Sequence, residues 1–197
     1  FSVEIPDISG EDPVTYQVMA AGGSGGTTLL PCHPVLIAPV AGQIPLLFIN
    51  EIMADNEKTV TDEQGYFSDW IEIYNGDDES VYLGDLCLTD NFNDPLKWRM
   101  PGTVLPAGGF ILIWADGTPG LGERHASFRL DKDGEEAGIF TLHRLVVDTV
   151  SFGLQRGDVS MGRKSDGANE IVFLSVATPG RSNNTTSVGG IKAKKDF

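Results

Sequence analysis

Cysteine is nearly absent from this 197-residue sequence: Cys32 and Cys87 are the only two, and no CxxC occurs. Zinc ribbons and thioredoxin-like redox motifs are therefore unsupported. Histidine is almost as scarce, with His33, His125 and His143 far apart and no HExxH among them. The glycine run at residues 22–26 leads into no Lys-Ser/Thr pair and no helical pattern, so it forms neither a phosphate-cradling loop nor a nucleophile elbow. No stretch reaches the ~18 apolar residues of a spanning helix, and no heptad repeat is sustained. Neither membrane insertion by a helix nor a coiled coil is expected. Basic residues are few, 14 against 28 acidic, for a net charge of −14. The one basic run, Lys192, Lys194 and Lys195, is terminal. Phosphate binding needs clustered Lys and Arg, so nucleic acid is not an expected partner.

What the sequence has in quantity is turn chemistry, with 24 Gly and 11 Pro. Short apolar runs lie between these turns, and the pattern from Leu46 onward is all β. Candidate strands are 46–52, 70–74, 81–88, 97–100, 110–114, 127–130, 138–142, 147–152 and 171–173. Ile71 and Ile73 share one face of their strand, with Trp70, Glu72 and Tyr74 on the other. The run 110–114 is almost continuously apolar, as for a central strand covered on both sides. Val146, Asp148, Val150 and Phe152 share a parity, which aims the Asp148 carboxylate toward the core. Such a group must be hydrogen-bonded or lie near the sheet's end. Trp70, Trp98 and Trp114 read as core or core-edge residues, with sugar stacking the other use of such a ring.

The first 45 residues read differently. Phe1-Ser2-Val3-Glu4-Ile5 and Val14-Thr15-Tyr16-Gln17-Val18-Met19-Ala20 alternate around a turn at 9–13, and 22–26 reads as a flexible break. Two strands cannot bury a core alone. Residues 1–45 are therefore read as the end of a preceding β-module plus a Gly/Pro-rich linker. The alternative adds these strands to the domain that follows. The lack of an initiator Met suggests a piece or mature product of a longer chain.

An ordered set of strings runs through the remainder: Ile49-Asn50-Glu51-Ile52-Met53-Ala54-Asp55-Asn56, Asp69-Trp70-Ile71-Glu72-Ile73-Tyr74-Asn75, Leu88-Thr89-Asp90 and Lys97-Trp98. Leu105-Pro106-Ala107-Gly108-Gly109-Phe110, Trp114-Ala115-Asp116 and Thr178-Pro179-Gly180 with Asn183 follow. Together they resemble the lamin tail domain, the Ig-like tail module of intermediate filaments, in its bacterial surface or secreted branch. The resemblance implies an all-β, immunoglobulin-like β-sandwich over 46–183, with a C-terminal tail at 184–197. It implies a non-catalytic interaction or tethering module of a larger exported bacterial protein, extracellular or at the cell surface. The expected partner is a protein or glycan of the cell envelope, and the alternative function is a carbohydrate-binding module of a secreted hydrolase.

Candidate site residues follow from residue chemistry. An exposed aromatic flanked by polar groups suits a ligand, which singles out Trp98 beside Arg99, and Tyr66 with Phe67 in the loop before Asp69. Asp131, Asp133, Glu135 and Glu136 crowd carboxylates around Gly134 like the start of an EF-hand loop. Leu142, however, occupies the twelfth position, where the bidentate acid belongs. Calcium is the candidate cofactor; the alternative is solvated turns and no cofactor. Cys32 and Cys87 are either a disulfide or two buried thiols. If 131–136 holds calcium, the melting temperature in excess calcium exceeds that in chelator; identical melting curves exclude the site.

Overall fold

The computed structural model describes residues 44–185, together with the strands β1 (Met19–Ala21) and β2 (Thr27–Leu29). The chain divides into two units, 1–43 and 44–197. In the first, β1 and β2 pair antiparallel, with Met19 opposite Leu29. The run at 22–26, read as a break, thus separates two paired strands. Three-residue strands are too short to show a period, which left Thr27-Thr28-Leu29 unread. The expected strand at 1–5 lies outside the described residues, as does Cys32.

The second unit is an immunoglobulin-like β-sandwich. Its strands are β3 (Leu47–Met53), β4 (Trp70–Asn75), β5 (Val81–Tyr82), β6 (Leu86–Thr89), β7 (Trp98–Arg99), β8 (Val104–Leu105), β9 (Phe110–Trp114), β10 (Gly134–Thr141), β11 (Val146–Gly153), β12 (Met161–Arg163) and β13 (Ile171–Phe173). One sheet has the order β11-β10-β6-β7, the other β13-β12-β3-β4-β9, and β5-β8 forms a small ribbon. Leu47, Ile49, Ile52, Ile71, Ile73 and Ile113 from the five-stranded sheet belong to one buried core with Leu88, Ala137, Ile139, Val150 and Phe152 from the other. The alternation of β4 does what its period demands, sending Ile71 and Ile73 to this core and Trp70 to the opposite face.

That opposite face is also packed. Met53, Trp70 and Trp114 form a second buried cluster, backed by Val60, Leu112 and Ala177. This corrects the reading of 110–114: β9 is an edge strand, not a central one. Its apolar run reflects cover on both faces, which says nothing about pairing on both edges. Past its end, Trp114 N–H donates to Arg124 O and Ala126 N–H to Trp114 O, closing part of the edge with loop backbone. Residues 127–130 make one isolated bridge and no strand. Phe128 and Leu130 are nonetheless buried, so their apolar spacing reflects side-chain burial without a ladder. The run 81–88 is split by a 3₁₀ turn at Leu83–Asp85, which diverts β5 to pair with β8.

One extra residue organises the five-stranded sheet. The β3–β4 register shifts between Ile49 and Glu51, so Asn50 is the unpaired residue of a bulge. The β3–β12 ladder covers only Glu51 and Ile52. Side chains therefore satisfy the backbone of Ile49: its N–H donates to Asp148 Oδ2 at 2.7 Å and its carbonyl accepts Arg163 Nε at 3.0 Å. Arg163 Nη2 also bonds both Asp148 oxygens, at 2.8 and 2.7 Å. The inward Asp148 of β11 thus bridges the two sheets. A second bulge, at Val147, turns Val146 out to solvent and packs Val147 against the core. The uniform parity expected from Val146 to Phe152 fails there. Gly162 faces the first bulge so closely that a Cβ would lie 2.6 Å from Asn50 O, hence no side chain is tolerated.

Beside the bulge, Glu51 and Glu72 are opposite each other and both fully buried. Glu51 accepts Thr178 N–H at 3.0 Å and Thr178 Oγ1 at 2.6 Å; Glu72 accepts Gly180 N–H at 2.6 Å and Asn50 Nδ2 at 3.1 Å. Asn183 donates to Asn50 O and Arg163 O. The segment 178–183 is thereby latched across β3 and β4. Burial pushes Glu51 up, and burial, with the Glu51 charge adding to it, pushes Glu72 up from 4.5 to about 8. A carboxyl raised on folding adds stability in full below its ordinary value and loses it as pH climbs through the raised one. Stability should therefore fall between about pH 4.5 and 8, and Glu72→Gln should flatten that fall. Denaturant midpoints at pH 5, 7 and 9 check this, and equal slopes for both proteins would refute it.

Candidate functional site

The loop between β3 and β4 is built by its own polar side chains. Asn56 Nδ2 donates to Val60 O and Ser68 O, both at 2.7 Å, and its Oδ1 accepts Thr59 N–H at 3.1 Å. Asp69, at the entrance to β4, accepts Asn56 N–H at 3.0 Å, the backbone-bonding role expected of a carboxylate there. Burial pushes Asp69 up despite that bond. Asp62 Oδ1 accepts Gln64 N–H and Tyr66 N–H at 2.9 Å, and Oδ2 accepts Ser68 Oγ at 2.9 Å. The loop is therefore a rigid mount, and it presents Tyr66, 63% exposed, and Phe67, 47% exposed.

Against this loop lies the segment following β9. Gln64 Nε2 donates to Leu121 O at 3.1 Å. Between the two runs and the Pro101–Thr103 segment lies a cleft of about 380 Å³, walled by Glu63, Gln64, Leu121, Glu123 and Arg124, with Ile111 and His125 also lining it. Glu63 accepts Trp114 Nε1 at 3.0 Å and pairs with Arg124. His125 is 1% exposed: its Nδ1 lies 2.7 Å from Asp116 Oδ2, and its Nε2 lies 3.4 Å from Glu63 Oε2 without a hydrogen-bond partner. Burial works against ionisation of Asp116, yet the bonds from Thr118 and His125 outweigh it and hold this carboxyl below its usual value. An oriented histidine with no hydroxyl or thiol bonded to it can bind or carry a proton but has no nucleophile to activate.

The sequence-derived candidates are spread over the domain. Tyr66 and Phe67 stand on the cleft loop. Trp98 is partly buried against the main core, and Arg99 is fastened to Gly84 O at 2.6 Å and Asp85 at 3.6 Å. Asp131 Oδ1 accepts Asp133 N–H at 2.9 Å and Glu135 Oε2 accepts Asp131 N–H at 2.9 Å. Glu136 reaches instead to Phe92 N–H at 2.5 Å. Cys87 lies buried on β6, where burial pushes its thiol up; its pairing with Cys32 stays an expectation, since Cys32 is outside the described residues. Trp70 and Trp114 are buried core-edge residues, as their composition implies.

Two features escaped the sequence reading. His125 gathers Asp116, nine positions back, and Glu63, from a different loop; the Trp114–His125 bridge and the bonds from Gln64 to Leu121 O and from Trp114 Nε1 to Glu63 bring them together. Phe48, Tyr74 and Phe110 stack across β3, β4 and β9, with centroids 6.3 and 4.9 Å apart and Arg163 4.8 Å from the Phe48 ring. The i, i+2 parity of Glu72 and Tyr74 was visible, but their cross-strand partners were not.

Asn56→Ala leaves two carbonyls and an amide of the loop without partners, and a loss of about 2–3 kcal/mol is expected. Urea unfolding measures it, and limited proteolysis should show faster cutting within 57–68. A variant as stable and as resistant as wild type would contradict this account of the loop.

The family model described as Lamin Tail Domain matches residues 42–153. No curated protein matches the chain.

Proposed function

Because the chain belongs to the lamin tail domain family, a family of Ig-like, non-catalytic protein-interaction modules, we propose that it tethers a larger exported bacterial protein to a partner at the cell surface. The partner is a protein of the cell envelope, taken up by the Tyr66–Phe67 loop and the cleft beside it. The observation that carries this reading is the pairing of exposed aromatics with a rigid, internally bonded loop. Exposed aromatic anchors that need no ordering on binding are what protein interfaces use as hot spots. Leu121, 40% exposed on the facing segment, extends the apolar rim, and Glu63, Glu123 and Arg124 supply its charges. In this reading residues 1–45 are the end of a preceding β-module plus a linker, and calcium at Asp131, Asp133, Glu135 and Glu136 stiffens the turn that carries them.

A second reading, carbohydrate binding, is favoured by the half-buried Phe48, Tyr74 and Phe110 row, since aromatic side chains gathered on one sheet face offer apolar contact to a sugar. Trp98 with Arg99 is its other candidate platform. The two readings separate in one experiment with the full chain, using immobilised envelope proteins and a glycan array. Tyr66→Ala with Phe67→Ala should weaken protein binding at least tenfold, which is about 1.4 kcal/mol, with an unchanged melting temperature. Glycan binding that Tyr74→Ala abolishes and the loop variant retains would replace the protein reading with the sugar reading. No saturable binding to either at high micromolar concentration would overturn both.

A further inference from the structure

A single imidazole has more acceptors around it at His125 than it can satisfy. A neutral imidazole has one N–H and one lone pair, yet both of its nitrogens face carboxylate oxygens: Asp116 Oδ2 at 2.7 Å and Glu63 Oε2 at 3.4 Å. The lone pair therefore points at an acceptor unless a cation stands between. A third carboxylate is close, for Asp62, Asp116 and His125 each offer a donor atom within 4.8 Å of the other two. Among the described residues neither Asp62 nor Asp116 forms an ion pair with Lys or Arg. Asp62 is 6% exposed, so its carboxyl sits largely out of water, held by hydrogen bonds and without a basic partner.

We propose that Asp62, Asp116 and His125 Nδ1 bind a first-row divalent cation such as Zn²⁺, with Glu63 holding the ring's Nε2–H. The assignment meets every group's requirement at once. The cation takes the Nδ1 lone pair and neutralises the two aspartates. The ring's proton then sits on Nε2, the buried nitrogen that otherwise has no hydrogen-bond partner, and turns toward Glu63. A metal-bound histidine whose other nitrogen donates to a carboxylate is the usual way of fixing the ring's tautomer and orientation. Asp62 Oδ1 takes the two loop amides, while Oδ2 takes only Ser68 Oγ and keeps a lone pair. One imidazole and two carboxylates suit zinc or manganese better than calcium, which prefers six to eight oxygens. Donors around such an ion stand roughly 3–3.5 Å apart, given bonds of ~2.0–2.2 Å. To reach that spacing the hydrogen-bonded Nδ1–Asp116 Oδ2 contact of 2.7 Å opens to admit the ion, and the remaining separations, all within 4.8 Å, close around it.

The site would pin the loop carrying Tyr66 to the segment after β9, but its existence does not depend on the partner reading. The test uses the full chain dialysed against chelator. Isothermal titration with Zn²⁺, Mn²⁺ and Ca²⁺ is read beside the ¹⁵N shifts of the His125 ring. The expected result is one Zn²⁺ per chain, Nδ1 metallated, and protection of Nε2–H. Asp62→Asn keeps the acceptor for the loop amides, so the fold is retained, and should weaken zinc at least a hundredfold. Glu63→Gln, at an exposed position, should weaken it by about tenfold or more. Absence of zinc binding overturns the proposal. So does binding that neither variant alters, or a His125 ring that holds two protons and ignores zinc.

Discussion

The extra residue in β3 is the constraint on which the rest of the sandwich depends. If Asn50 took a regular place in the ladder instead of bulging out of it, Glu51 would fall on the core face. With the bulge, the Ile49 backbone is released to Asp148 and Arg163, which join the two sheets, and Glu51 comes level with Glu72 on the outer face. Those two carboxylates then hold 178–183 by its amides and hydroxyls. Each connection exists because a buried polar group must find a partner. A packing requirement at one bulge is thus passed along hydrogen bonds to the end of the domain. The matched family region ends at residue 153, before this latch begins.

Like charges buried side by side are normally costly. Here the cost is limited by letting the carboxyls stay protonated to higher pH and by surrounding them with donors: Asn50 and two backbone amides. The exposed acidic side chains follow a separate logic, since charges left in water keep their hydration. The same residue types therefore serve opposite ends, and burial is what separates them.

Interaction loops work when a rigid scaffold holds them. The loop of 56–68 earns its rigidity from Asn56 and Asp62 rather than from packing, since Val60 alone joins the second apolar cluster. Tyr66 and Phe67 are then free to face solvent. Across the cleft, His125 Nδ1 and Asp116 Oδ2 fasten the segment after β9 side chain to side chain, where the loop of 56–68 is held mainly side chain to backbone.

The sequence by itself determined the all-β class, the faces of β4 and the inward Asp148. These depend on period-two alternation and on turn residues, both local properties. It also carried the family, because ordered short strings need no geometry to be read. Tertiary structure alone decided that 110–114 is an edge, that 127–130 is buried without a ladder, and that Glu51 meets Glu72. It alone drew Asp62, Asp116 and His125 into one cluster. Strand order, bulges and contacts between distant loops are settled by which buried groups find partners, and a one-residue shift reverses the outcome. Local pattern does not hold that information; only the packed chain does.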